Sequence, residues 1–407
     1  MKIEPDSKKE SNKAQRSPGR VGRQMGKNHD PTAQRLIAID WLRGILIILM
    51  AVDHASMFFN GNRLPHESMA LGPPEQPFAV DQYILRWISH VCAPGFLFLS
   101  GISLSLSTQA KRHRGLAPRE IDLHLIKRGL LLIALDPLVI SLGNAKPIFQ
   151  VLTAIGISTI LMCLLRRSST LTLVVLASLW FVGSEFLTGL LWNQVHGIGP
   201  DVFQVIVAPH TGRFFLFVYP VLPWLSVFTL GVIFSRWTLE QKNLYTEEQG
   251  DLTVAGYPMK VLVISGLISL GLFLLIRYFN TYGNMHIYRV DNSWMQWLYM
   301  SKYPPSLSFL SSQLGLVSLA LAALMWLSTR IQHGQNSLIL VLGQVSLFFY
   351  VSHWLVLKLF AQTLATKTDN VLYIYVISAA VCIGLYPVCR RVRSFKLNHK
   401  GTWADLV

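Results

Sequence analysis

Residues 35–59, RLIAIDWLRGILIILMAVDHASMFF, form a membrane-length apolar run that nevertheless holds Asp40, Arg43, Asp53 and His54. A single segment inside hydrocarbon has to be helical, because only a helix satisfies its own backbone there. At about 100° per residue, Arg43 and His54 fall about 20° apart on the wheel and Asp40 about 40° from His54, so the three share one stripe. A stripe of that kind faces a bundle interior or a wet cavity, and it marks function by default. The competing explanation for Asp40 and Arg43 is that they snorkel to the interface from the first turns. At a rise of about 1.5 Å per residue, His54 stands about 21 Å along the axis from Asp40, so one helix links both leaflets.

The rest of the 407-residue chain agrees, with 52% apolar and 14% charged residues and a mean hydropathy of +0.41. This is the composition of an all-α, polytopic transmembrane helical bundle. After the first run, further spans are predicted at 82–107, 124–142, 147–165, 170–192, 213–235, 260–279, 306–329, 337–363 and 371–389, about ten in all. The two runs flanking Asn144 and Pro147 read as a tight helical hairpin. The formal charge of +15 sits in clusters beside apolar segments, such as Lys111, Arg112, Arg114 and Arg119, or Arg390, Arg391, Arg393 and Lys396. Topology explains such clusters better than nucleic acid does, and it predicts both termini in the cytoplasm.

Residues 1–34 are basic and nearly devoid of apolar side chains, which predicts a disordered cytoplasmic tail that touches anionic lipid. The tail has no short apolar segment followed by a small-residue cleavage site, so insertion is expected to start at the helix from Leu36. The membrane domain is then 35–395, followed by a short tail at 396–407. Cys92, Cys163, Cys382 and Cys389 show no metal spacing and read as packing residues, and no metal site is expected.

Other polar residues stand inside or beside spans. Arg86 and His90 lie one turn apart, ahead of Pro94, and the small residues of SGISLSLS at 100–107 favour close helix approach. Lys302 precedes a span in MSKYPPSLSFL, and His353 lies within LFFYVSHWLV; a buried Lys or His in such a place needs partners. The expected outward loops carry Trp192, Asn193, His196 and His210, then Asn280, Asn284, His286, Tyr288, Trp294, Gln296 and Trp297. That mixture suits sugar rings, and equally an interfacial aromatic belt.

Five motifs occur in order: RxxxxDWLRGxxxxxMxxDHA at 35–55, WxxHxxAPGFLFLSGxS at 87–103, YPxLPWLxxxxxG at 219–231, SKYPPSLxFL at 301–310 and GQVSLFFYxSHW at 343–354. Together they resemble the multipass transmembrane acyltransferase family that includes heparan-alpha-glucosaminide N-acetyltransferase and its bacterial relatives, over roughly residues 35–390. The resemblance implies a bundle in the bacterial cytoplasmic membrane that moves an acyl group, expected to be acetyl, from cytoplasmic acyl-CoA to a glycan-like acceptor at the other face. Its implied partners are membrane lipid, acyl-CoA and the sugar acceptor, with a homodimer admitted and no nucleic acid. Asp40, Arg43 and Gly44 match the family's opening D-x-x-R-G, and His54 matches the histidine closing that helix in bacterial members. His90 with Pro94, Lys302 and His353 match the other motifs. The animal enzyme's histidine lies in the stretch after the first helix, where this chain has only His66 among unmatched neighbours, so that role does not carry over.

The chemistry needed is modest, since a thioester is already activated: a base must deprotonate the amine or hydroxyl, and donors must hold the developing oxyanion. The catalytic candidates are His54 as the first choice of base, Asp53 or Asp40 as an orienting carboxylate, and His90 as the second choice of base. Asp40, Arg43 and Arg86 are the candidates for the acyl-CoA donor, with Arg43 suited to phosphate. Lys302 and His353 are candidates for the acceptor. A multipass transporter of an anionic solute also needs charges inside the membrane, and it is the alternative; a non-catalytic scaffold would gain nothing from them.

Overall fold

The computed structural model describes residues 31–64, 67–68, 79–195, 205–240, 245–248, 251–254, 259–331, 334–364, 366–399 and 402. The helices are α1 (Pro31–Phe59), α2 (Val80–Trp87), α3 (Cys92–His113), α4 (Pro118–Leu135), α5 (Val151–Leu165), α6 (Thr170–Val195) and α7 (Val221–Glu240). They continue with α8 (Met259–Phe279), α9 (Trp294–Leu298), α10 (Leu307–Ser328), α11 (Leu338–Gln344), α12 (Ser346–Leu364) and α13 (Val371–Asn398). Among the described residues, eight helical stretches are long and apolar enough to cross a membrane, with α2 and α3 taken as one; α5 is apolar but shorter. The all-α bundle expected from the sequence is therefore what the chain forms.

Five of the predicted spans are not single straight helices: the runs at 147–165 and 213–235 open in short strands at 148–149 and 216–217 and turn helical only at Val151 and Val221, and proline explains two of the other three departures. The run at 82–107 breaks between α2 and α3, because Pro94 has no N–H to give the His90 carbonyl and its ring crowds that carbonyl. Pro94 instead sits in the first turn of α3, where a missing N–H costs nothing. After α4, Pro137 has the same effect: the chain widens into a π turn, Asp136–Ile140, closed by Ser141 N–H donating to the Asp136 carbonyl at 2.9 Å. The run at 337–363 divides at Val345 into α11 and α12.

The two long ends of the bundle differ in character. At the end where α1 begins, arginines tie helix termini together: Arg166 to Asp122 at 2.6 Å, Arg236 to the Ser168 carbonyl at 2.8 Å, and Arg393 of α13 to the Gln335 carbonyl at 2.5 Å. α13 runs to Asn398, so Lys396 is helical. At the far end lies a small sheet of two-residue strands, β1 (Ile148–Phe149), β2 (His210–Thr211) and β3 (Leu216–Phe217), in the order β1-β3-β2. β1 pairs parallel with β3 and β2 antiparallel with it. A hairpin of β4 (Tyr245–Glu248) and β5 (Asp251–Val254) joins α7 to α8.

Glycine sets how closely the central helices cross. A Cβ built on Gly44 would stand 2.0 Å from the Ile339 carbonyl oxygen, and one on Gly343 would stand 1.9 Å from that of Asp40, so α1 and α11 touch backbone to backbone. Gly101 and Gly231 do the same for α3 and α7, which places the small-residue run at 100–107 where close packing was expected.

Candidate active site

α1 delivers its polar stripe to two cavities. Near its start, the Arg43 guanidinium pairs with Asp40 at 3.2 Å and also donates to the Ser103 hydroxyl, while Gln344 of α11 donates to the other Asp40 oxygen at 3.1 Å. Arg43 lines a cavity of about 300 Å³ together with His124, Arg128, Gln344 and Lys396. This chamber reaches Lys396 near the arginine-tied end, and Arg43, Arg128 and Lys396 are the cations among its lining residues.

Further along α1, His54 lines a second cavity of about 300 Å³ with Asp53, Arg63, Lys302, Tyr219 and Lys358. His54 Nδ1 lies 2.8 Å from His353 Nε2, and His353 Nδ1 lies 2.7 Å from the Phe349 carbonyl oxygen one turn back on α12. A carbonyl can only accept, so His353 Nδ1 carries the proton. In neutral His353 the Nε2 is then a lone pair, and His54 Nδ1 must donate to it. What remains is a basic lone pair on His54 Nε2, which hydrogen-bonds to nothing among the described residues. Trp354 stands edge-on to His54 at 4.7 Å between ring centres and holds the imidazole in place.

Asp53 does not orient His54. Its Oδ1 accepts from Arg63 at 2.9 Å, Arg86 at 3.0 Å and the Ser89 hydroxyl at 2.9 Å. Arg86 continues to Glu67 Oε2 at 3.1 Å, and Glu67 Oε1 meets His90 Nε2 at 3.1 Å. Arg86, near the end of α2, and His90, in the break after it, thus share one carboxylate. Burial pushes the Glu67 carboxyl up, but the adjacent Arg86 guanidinium and His90 more than offset that and hold it well below the usual carboxylate range. Glu67 also fixes the strap that carries Lys302: the Lys302 N–H donates to the Glu67 carbonyl at 2.9 Å, and the Ser68 hydroxyl donates to that of Tyr303 at 2.6 Å. The strap then turns back on itself, with the Ser306 N–H donating to the Ser301 carbonyl at 2.9 Å and the Ser301 hydroxyl to that of Pro304 at 2.8 Å, before Ser306 caps α10.

The sequence candidates thus separate. Arg43 lines the first chamber with Asp40 paired behind it; Asp53, His54 and Lys302 line the second, with His353 buried behind His54. Arg86, expected on the donor side, is at the second chamber instead, and His90 lies behind it, bound to Glu67. Glu67 and Asp136 were not singled out from the sequence; a lone acidic residue in an apolar chain was the available signal. Asp136, fully buried, accepts from the Gln150 and Thr153 amides at 2.7 and 2.8 Å and so caps α5 from the preceding segment. The aromatic loop at 280–297 is built around buried Arg277, which donates to Asn284 Oδ1 at 2.7 Å and to the Ile287 and Trp297 carbonyls at 3.0 and 3.1 Å. His66 and His196, and the side chains of Trp192 and Asn193, lie outside the described residues. No three His, Cys, Asp or Glu side chains converge as metal ligands among the described residues.

A histidine with an open ring nitrogen lines one chamber and cations line the other, and α1 contributes side chains to both. The family described as heparan-alpha-glucosaminide N-acetyltransferase, catalytic, matches residues 35–278, more than half of the chain. The chain belongs to that family. No curated protein matches it significantly. As a member of the heparan-alpha-glucosaminide N-acetyltransferase family, with eight helices fit to cross a bilayer, it is an integral membrane protein of acetyltransferase type. The family match covers α1 through α8, and therefore Asp40, Arg43, Asp53, His54, Arg86 and His90. Lys302 and His353 lie beyond it.

Proposed function

We propose that this protein transfers an acyl group, acetyl in the first instance, from acyl-CoA bound at the cytoplasmic face to the amine or hydroxyl of a glycan-like acceptor at the outer face. The basic end of the bundle is then cytoplasmic, as the excess of Lys and Arg favours. What supports the reading most is that the two chambers have two lining residues in common, Val151 and Tyr350. A thioester reaching from one side and a nucleophile arriving from the other would meet there.

Arg43, Arg128 and Lys396 suit the phosphates of the donor, since charge-assisted bonds to phosphate need fixed cations. His54 Nε2 takes the proton from the acceptor as its lone pair attacks the carbonyl carbon. The C=O pair moves to oxygen, then returns as the C–S bond breaks, and the proton passes from His54 to the departing thiolate. The products are acylated acceptor and CoA–SH. His353 steadies the imidazolium, accepting the Nδ1 proton's hydrogen bond throughout.

The test uses detergent-purified protein, radiolabelled acetyl-CoA and a panel of aminosugars and neutral sugars. Label in the sugar with an equal amount of free CoA is the expected result. Binding of sugar or CoA without any transfer would overturn the proposal, and movement of unmodified anion into sealed proteoliposomes would favour a transporter.

A further inference from the structure

We propose that the Tyr350 hydroxyl, together with the first two amides of α5 at Val151 and Leu152, forms the oxyanion site of the reaction. The inference rests on the acyl-transfer reading and adds to it the groups that hold the carbonyl oxygen. Tyr350 is 4% exposed and lines both chambers, and its hydroxyl hydrogen-bonds to nothing among the described residues. A buried phenol normally has a partner, and one left open toward a cavity points to a ligand atom.

The second observation is independent. α5 begins at this same junction, Val151 lining both chambers and Leu152 the first. Asp136 satisfies the amides of Gln150 and Thr153 and leaves those of Val151 and Leu152 between them without an acceptor. A helix N-terminus with open amides favours developing negative charge. The cap thus comes from outside the helix and from a position that keeps the two middle amides clear.

The base is close enough to complete the site. The Tyr350 ring stands edge-on to His54 and to His353, with ring centres 5.7 Å away in each case. A carbonyl carbon at the junction would therefore have an oxyanion donor on one side and His54 Nε2, with its acceptor, on the other, which is the arrangement that acyl transfer requires. As the acceptor's lone pair forms its bond to carbon, the electron pair shifted onto oxygen is met by the phenol O–H and the two N–H groups. It returns to carbon when the thiolate leaves, so Tyr350 neither gains nor loses its proton over the cycle.

Two variants and one spectrum test the assignment. Infrared difference spectra of [1-13C]acetyl-CoA bound to the purified protein, without acceptor, should show the thioester carbonyl shifted to lower frequency relative to free donor. Tyr350→Phe keeps the ring and its packing, and it should lose most of that shift. Val151→Pro deletes one amide at the first helical position, where proline is tolerated, and serves if the phenylalanine variant fails to fold. Each variant should lower the single-turnover transfer rate about 10²- to 10³-fold while the donor Kd stays within about twofold. A carbonyl that is unshifted in the wild-type protein, or unchanged in either variant, overturns the oxyanion site while leaving acyl transfer standing. Failure of the wild-type protein to bind acetyl-CoA at all would overturn both.

Discussion

His54 and His353 share one hydrogen bond, 2.8 Å between Nδ1 and Nε2, across two helices separated by nearly 300 residues of chain. Because the remaining nitrogen of His353 is committed to the Phe349 carbonyl, the pair has one neutral arrangement, with the lone pair on His54 Nε2. A carboxylate in the place of His353 would stabilise the imidazolium more strongly; a neutral imidazole fixes the tautomer at less electrostatic cost inside the membrane.

His54→Gln should therefore insert, bind acyl-CoA and transfer almost nothing. Glutamine keeps a side chain of similar reach but cannot act as a base near neutral pH, so a loss of about 10² to 10⁴ in single-turnover rate is expected. Near-normal turnover in the folded variant would remove the base from this residue.

Arg43→Ala should raise the acyl-CoA requirement about tenfold or more while leaving the acceptor requirement nearly unchanged. Its guanidinium is held by Asp40 and the Ser103 hydroxyl at the cationic chamber, where a phosphate would gain a charge-assisted bond. Separate titrations of donor and acceptor check this, and a selective loss of acceptor binding would reverse the orientation assigned to the site.

Glu67→Gln should lower stability by about 3 kcal/mol at neutral pH, because Arg86 and His90 both lose their charged partner in a buried place while Asp53 still faces Arg86. The folded carboxyl titrates below its unfolded value, so its stabilisation is fully present above the ordinary glutamate range and is lost as pH falls toward the folded value. Thermal unfolding in detergent should show a wild-type acid limb below about pH 4.5 that is shallower in the variant. Identical acid limbs would rule out Glu67 as its source.

Gly343→Leu should prevent assembly of the bundle. Even a Cβ at this position would stand 1.9 Å from the Asp40 carbonyl oxygen, so α11 would have to move off α1 and take Gln344 away from Asp40. Size-exclusion profiles of the solubilised protein should show aggregate, whereas Gly384→Leu, where a Cβ meets open space, should behave as wild type.

The sequence by itself determined the class of this protein and the membership of its stripe. Apolar runs of bilayer length leave a helix as the only satisfied backbone, and ionisable residues at helical spacing within α1 have to face inward, so Asp40, Arg43 and His54 were legible as one polar stripe. Proline was legible as punctuation, though its consequence was not: the break at His90 and the π turn at Asp136 follow from local sterics, but where they point the freed side chains depends on what packs beside them. Long-range pairing was decided by the tertiary structure alone. His54 found His353 rather than the neighbouring Asp53 because adjacent residues on a helix diverge by about 100°, and Asp53 was turned instead to Arg63 and Arg86. Glu67 acquired its place because a buried arginine and histidine on separate segments needed one carboxylate between them, a requirement that exists only after α2, the break and the Lys302 strap have come together.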